Sequence, residues 1–367
     1  MHFIDLKREW DYFEKEFTKV FKDFGRKGIY VLGPEVENFE KNFAKFCNCK
    51  YSVGVSTGLE ALEICLRAYG IGDGDEVITV SNSAVATALA ISNVGAKPIF
   101  CDIGDDFLID PQKIENLITE KTKCILSVHL FGKICSMEKI NQIAKKHSLI
   151  VIEDACQAHG AKFSRESSIN TKAFSFYPTK NLGALGEGGA ITTNDEKVRD
   201  FVISYRNYGQ KGRYNHIIKG TNARIDPLQC ALMNIKLKKL NSFIKIRQKI
   251  ASTYIKSLKN IPDIIINDFD VNSSYHLFVV RITNNLRNEL ISYLKEKEIE
   301  TLIHYPTLIH QQPCYKDEYK DNLLPISEKF QEEILSLPCY PFLNQKEQKK
   351  IIVEIKKFLF KKNNETS

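Results

Sequence analysis

The chain has 367 residues, 43% of them apolar and 26% charged, which suits a soluble globular protein and is long enough for two cores. Its formal charge of +7, from 52 basic against 45 acidic residues, is modest and argues against the dense basic patch of a nucleic-acid binder. No apolar run reaches the roughly 20 residues that span a bilayer, and Met1 to Asp5 lack the basic-then-apolar order of a secretory leader, so no membrane partner and a cytoplasmic location are expected.

From about Tyr51 to Thr193 short apolar runs alternate with amphipathic segments. A helix is expected over Leu59 to Tyr69, with Leu62, Cys65, Leu66 and Tyr69 on one face and Glu60, Glu63 and Arg67 on the other. Buried strands are expected at Val77 to Val80, Lys97 to Cys101, Cys124 to His129, Leu149 to Glu153, Ala173 to Phe176 and Ala190 to Thr193. Asp110 followed by Pro111 reads as a cap and first helical position, and Asp226 with Pro227 opens a long helix to about Leu258. Beyond it, strands at His276 to Ile282 and Thr301 to Tyr305 mix with helices at Leu286 to Lys297, Ser327 to Leu335 and Gln345 to Phe360. The pattern predicts an α/β protein with an open, mostly parallel sheet, and a smaller C-terminal domain reached through the long helix. Ten cysteines are scattered without metal-ligand spacing, Cys47 and Cys49 being the one close pair, so reduced thiols and no metal are expected.

Three segments carry chemistry. Val55 to Glu60 contains Ser-Thr-Gly at the mouth of a helix, where free amides of Gly58 and Leu59 suit a phosphate, although capping alone accounts for these residue types. Leu149 to Asp154 is an apolar strand ending in a carboxylate. Asp154 there suits either a pyridine nitrogen, which it would keep protonated, or a helix cap. Phe174 to Gly189 sets Lys180 after a strand among glycines and apolar residues. Burial there would lower the pKa of the amine and make it nucleophilic; a surface lysine on a turn is the plain alternative.

These elements in this order resemble the DegT/DnrJ-type family of sugar aminotransferases, a branch of the aspartate aminotransferase fold. The likeness takes in Phe3 to Lys7, Gly33 to Glu40, Gly72 to Val77, His129 to Gly132, Glu153 to Ala161, Phe174 to Gly189, Arg206 to Gly209, Gly220 to Asp226 and His304 to Pro306. It implies the fold type I architecture of pyridoxal-phosphate enzymes. Residues 1–240 would form a large cofactor-binding domain with a mostly parallel mixed sheet, and residues 241–367 a small C-terminal α/β domain. By resemblance Lys180 matches the lysine that binds pyridoxal 5'-phosphate covalently and Asp154 the partner of its ring nitrogen. Gln157 looks like the residue beside its phenolic oxygen. Gly58, Leu59 and Ser175 match the phosphate cradle, and Asn222 is similar to a residue reaching that phosphate from a second subunit, which implies a homodimer with shared sites. For a nucleotide-linked keto-sugar the likeness points to Tyr177, Arg213, Tyr214, Arg224, His304 and Tyr305.

The implied reaction takes an amine from L-glutamate, through pyridoxamine phosphate, to the sugar. Ser56 to Leu62 look more like the members that aminate carbon 3 of dTDP-linked 3-keto-6-deoxyhexoses, whose products enter surface glycans. Amination at carbon 4 of a 4-keto sugar is the rival, and a non-catalytic cofactor-binding sensor is a rival of another class. Relatives that dehydrate sugars carry histidine at the position of Lys180. The chain departs from the pattern at Ala84, where an aromatic ring is common, at Lys133 and Ala223, and in Lys162 to Lys172, which is shorter than the family's hairpin and should alter a surface turn alone.

Overall fold

The computed structural model describes residues 1–366. Two helices come first, α1 (Leu6–Lys27) and α2 (Pro34–Phe46). The elements expected above do not include them, although apolar residues recur at helical spacing in both and bury Phe13 and Phe17 in one, Val36, Phe39 and Phe43 in the other. There follow β1 (Tyr51–Val55), α3 (Gly58–Ala68), β2 (Glu76–Val80), α4 (Ala86–Asn93) and β3 (Lys97–Cys101). After these come α5 (Pro111–Ile114), β4 (Thr122–Val128), α6 (Met137–Lys146), β5 (Ile150–Asp154), β6 (Thr171–Ser175) and β7 (Gly189–Thr193). The seven strands form one sheet in the order β1-β7-β6-β5-β4-β2-β3. All neighbours are parallel except where β7 pairs with β1 and with β6. This is the expected mostly parallel, mixed α/β sheet. Its strands read as apolar runs because helices cover both faces.

Beyond β7 lie α7 (Glu196–Tyr205) and α8 (Pro227–Leu258), the latter with the expected bounds. Cys230, Met233, Leu240 and Ile244 of α8 pack with α2 against the large sheet, whereas Ile250, Ala251, Tyr254 and Leu258 belong to a second core. That core is built on β8 (Ile264–Ile265), β9 (Phe278–Ile282), α9 (Arg287–Glu296), α10 (Pro325–Glu333), β10 (Ile334–Leu337) and α11 (Gln345–Thr366). The small sheet has the order β10-β9-β8, antiparallel throughout. The division expected at 240/241 falls inside α8.

Several expected elements differ. Thr301 to Tyr305 is no strand. Leu302 makes a single bridge to Ser336, and Pro306 has no amide with which to continue a ladder. The helix expected over Ser327 to Leu335 stops at Glu333, and Ile334–Leu337 turn extended to pair with β9, a tertiary contact that outweighs local helical spacing. The helix opened by Asp110 and Pro111 is capped as expected but gives way after Ile114 to a 3-10 turn, Glu115–Leu117. Lys162 to Lys172 holds one 3-10 turn, Glu166–Ile169, before β6 begins.

Gly189 lies where β7 passes under the start of α3. A Cβ added there would stand 2.2 Å from the Thr57 carbonyl oxygen, a backbone atom that no rotamer change can move aside. Gly189→Ala should cost about 1–3 kcal/mol through overpacking, read as a lower urea midpoint, and should weaken anything bound at the α3 N-terminus.

Candidate active site

Asp154 ends β5 and Lys180 follows β6, so both lie at the carboxyl edge of the sheet, where open α/β folds gather ligands. Lys180 is held in a tight loop. Its amide donates to the Tyr177 carbonyl at 2.9 Å, and Ala184 N donates to the Phe176 carbonyl at 2.7 Å. The buried Lys236 of α8 pins this loop from below, donating to the Gly183 carbonyl at 2.6 Å while pairing with Glu9 of α1 at 2.6 Å. Burial lowers the pKa of the Lys180 amine, against the opposing charges of Cys156 and Asp154.

Asp154 is 5% exposed and satisfied by two donors, the Thr87 hydroxyl at 2.9 Å and the Cys156 amide at 3.1 Å. Thr87 in turn meets the Ser83 hydroxyl at 2.9 Å. Sequence reading missed Thr87, Ser83 and Lys236. The Ser-x-x-x-Thr spacing at the start of α4 is the one local signal of a turn that stacks two hydroxyls. Gln157 is buried, its oxygen accepting from Phe131 N at 2.8 Å and its amide donating to the Tyr305 hydroxyl at 3.0 Å. That hydroxyl has its own proton left to give, and burial, then the charge of Asp154, push its pKa up to about 12. His304 Nδ1 lies 2.9 Å from the Ser336 hydroxyl, and burial, then the Lys180 charge, lower its pKa to about 4. His159, set aside from catalysis on sequence grounds, is enclosed by Phe174 and Phe176 with ring centroids at 5.3 and 5.7 Å.

Thr57 caps α3, its hydroxyl accepting from Glu60 N at 3.1 Å and its carbonyl from Ala61 N at 3.0 Å. The amides of Gly58 and Leu59 are the remaining donors of the first turn. A Cβ on Gly58 would come within 2.5 Å of Ser175 Cβ and 3.1 Å of its hydroxyl oxygen, so glycine is what brings this helix end against Ser175. A helix N-terminus, a serine hydroxyl, a buried carboxylate and a buried amine thus fit the phosphate, ring nitrogen and aldehyde of pyridoxal phosphate. Among the described residues no cluster of histidine, cysteine, aspartate or glutamate could hold a metal ion.

The other expected residues turn away from this centre. Asn222 is exposed on a segment that bridges Asn207. Tyr177 and Tyr214 are 48% and 76% exposed, and Arg213 lies 5.0 Å over the Tyr214 ring. Arg224 donates to Asn207 Oδ1 at 2.7 Å and stacks on Tyr208. Apart from the backbone bond between Lys180 and Tyr177, no contact recorded for these five reaches Asp154, Gln157 or Lys180 within one chain. Ala84 precedes α4 in the Thr87 turn, and no aromatic side chain stands in its place.

Thr87→Val keeps the shape of the side chain but strips both of its hydrogen bonds. Cofactor affinity should drop about tenfold, and stability should fall by about 1–3 kcal/mol, as expected when a buried acceptor loses its donor. Titration of the apoprotein with pyridoxal phosphate, followed by absorbance, measures the first effect and urea denaturation the second.

A family model for the DegT/DnrJ/EryC1/StrS aminotransferase family matches residues 11–356. A dTDP-3-amino-3,6-dideoxy-alpha-D-galactopyranose transaminase of Aneurinibacillus thermoaerophilus is 43% identical, over 97% of this chain and 99% of its own. A pleiotropic regulatory protein of Geobacillus stearothermophilus is 39% identical over 97% of each. Among solved structures, S. venezuelae DesV in complex with a ketimine intermediate superposes with a TM-score of 0.94 at 37% identity, over 98% of both chains. Sequence, fold and site geometry agree: the chain belongs to the DegT/DnrJ/EryC1/StrS aminotransferase family and is a pyridoxal-phosphate-dependent sugar aminotransferase.

Proposed function

We propose that this enzyme moves an amino group from L-glutamate to carbon 3 of a dTDP-linked 3-keto-6-deoxyhexose, in the cytoplasm, as a homodimer. The observation that carries the reading is the half-buried Lys180, its amine pKa lowered by desolvation, at the same sheet edge as the buried Asp154. The 43% identical Aneurinibacillus transaminase supplies the substrate class. All ten cysteines are free thiols, the state that a reducing compartment maintains.

When bound, pyridoxal phosphate supplies an aldehyde that accepts the amine and a ring that takes up the electron pair released at the reacting carbon. Each residue then has a defined task. Ser175 and the Gly58 and Leu59 amides hold the phosphate, and Asp154, oriented by the Thr87 hydroxyl and the Cys156 amide, would pair with the ring nitrogen and keep a proton on it. The lowered pKa of Lys180 leaves more of its Nζ neutral near pH 7, able to take a proton from the donor's α-carbon and return one to carbon 3 of the sugar. Gln157 positions the Tyr305 hydroxyl at the edge of this centre.

A second copy completes the site. Ile29, Tyr30, Val31, Leu185, Tyr208 and Tyr214 present exposed apolar surface of the kind that a partner covers. Asn222 and Arg213, turned outward in their own chain, then serve the neighbour's phosphate and sugar nucleotide. The regulatory relative favours a sensor reading, against which stand the intact Lys180 and Asp154. A sensor would stay yellow with every amino donor.

Mass spectrometry of reactions with L-glutamate and either a dTDP-linked 3-keto or a 4-keto 6-deoxyhexose tests the chemistry. Amine gain is expected in the 3-keto reaction alone and should vanish in Lys180→Ala; gain with the 4-keto sugar would move the reaction to carbon 4. The shared site has its own test. Mixing inactive Lys180→Ala chains with Asn222→Asp chains should regenerate one intact site per mixed dimer, about a quarter of wild-type activity. Strictly additive activities would mean that each chain works alone.

A further inference from the structure

A cavity of about 800 Å3, within the roughly 300–1,000 Å3 range of small-molecule sites, lies between α2, α8 and the β6–β7 side of the large sheet. It opens on the face opposite Asp154. Side chains alternate along a strand, so Asp154 and Ala173 face α3 and α4, whereas Glu153, Lys172 and Phe174 face the other way. The short segment 162–170 borders this cavity with Lys162, Phe163, Ser164 and Asn170.

The lining is unusual in charge. Lys45, Lys162, Lys172 and Lys238 all contribute, and no carboxylate stands among the described lining residues. Lys172 is committed to Glu153 at 3.8 Å beneath the floor, but Lys45, Lys162 and Lys238 form no ion pair among the described residues. Asn42 donates to Asn234 Oδ1 at 2.9 Å, and the amides of Asn48, Asn234 and Asn241 line the same walls, offering uncharged donors beside the ammonium groups. His159, 1% exposed and packed on Phe174 and Phe176, forms part of the cavity wall.

We propose that this cavity is a second ligand site, for a small phosphate-bearing anion, on the sheet face opposite the transamination centre. Lysine ammonium groups bind phosphate as point charges, and three unpaired ones around a pocket without carboxylates favour a multiply charged anion over a neutral sugar. The site also abuts the catalytic machinery. His159 lies two residues beyond Gln157, and its carbonyl accepts from the amide of Asn181, next to Lys180, at 3.4 Å.

Isothermal titration of the enzyme, loaded with cofactor and saturated with dTDP to fill the sugar-nucleotide site, with inorganic pyrophosphate tests the proposal. One site per chain is expected, weakened at least tenfold in Lys162→Glu/Lys238→Glu. Both lysines are exposed, so the variant should fold, as circular dichroism would verify. Lys316→Glu/Lys320→Glu, which changes net charge equally at exposed lysines outside the cavity, should bind as the wild type does. Absence of binding to the wild type, equal binding by the cavity variant, or equal weakening in both variants would each overturn the assignment.

Discussion

Strand β5 ends in two adjacent buried carboxylates, and strand geometry sends them to opposite faces of the sheet. Glu153 is fully buried, accepting from His129 at 2.7 Å, Ser167 at 2.5 Å and Asn170 at 2.8 Å, with Lys172 directly across the strand pair. Burial alone would raise its pKa, but the hydrogen bond and charge of His129, with Lys172, hold it below the ordinary value. A buried charge is tolerated only when its partners are in place, and removing one costs several kcal/mol. A slip of one residue in β6 would turn Lys172 away from Glu153 and carry Ser175 off the face that Asp154 occupies. The register that sets Lys172 against Glu153 is therefore also what puts Ser175, with Lys180 following, on the catalytic side.

The same pairing bounds what could be read in advance. Apolar runs such as Val77 to Val80 and Cys124 to Val128 were visible because a strand buried on both faces carries few polar residues to disguise it. Lys180 and Asp154 were visible because each sits just after such a run. Thr87 was not, since its link to Asp154 spans 67 residues and depends on α4 packing over β5. Local spacing also misjudged Ile334–Leu337, whose extended form comes from pairing with β9. The N-terminal helices were legible in the recurrence of Leu6, Trp10, Phe13, Phe17, Val20 and Phe24 at helical spacing, although the expected elements began only at Tyr51. Asn222, Arg213 and Tyr214 were found through resemblance, and the geometry of one chain explains why they look idle by themselves: their surface faces away from the centre they would serve.

The centre is also built with little freedom. The Phe176 to Ala184 loop is closed by its own backbone and nailed down by Lys236, while Gly58 and Gly189 admit neighbours so closely that a single methyl group would collide. Such crowding removes the entropy cost of ordering the site at the moment of binding.

Helix α8 runs from Pro227 to Leu258 with no glycine and with its proline at the first position, where the missing amide is harmless. At about 1.5 Å per residue it is a rod of about 48 Å. Its first half belongs to the core under the large sheet and its second half to the core of the small one. A hinge between the two bodies cannot be placed in a rod that both have built into their interiors. The large sheet and the small one are thereby braced against each other, a frame instead of a closing jaw.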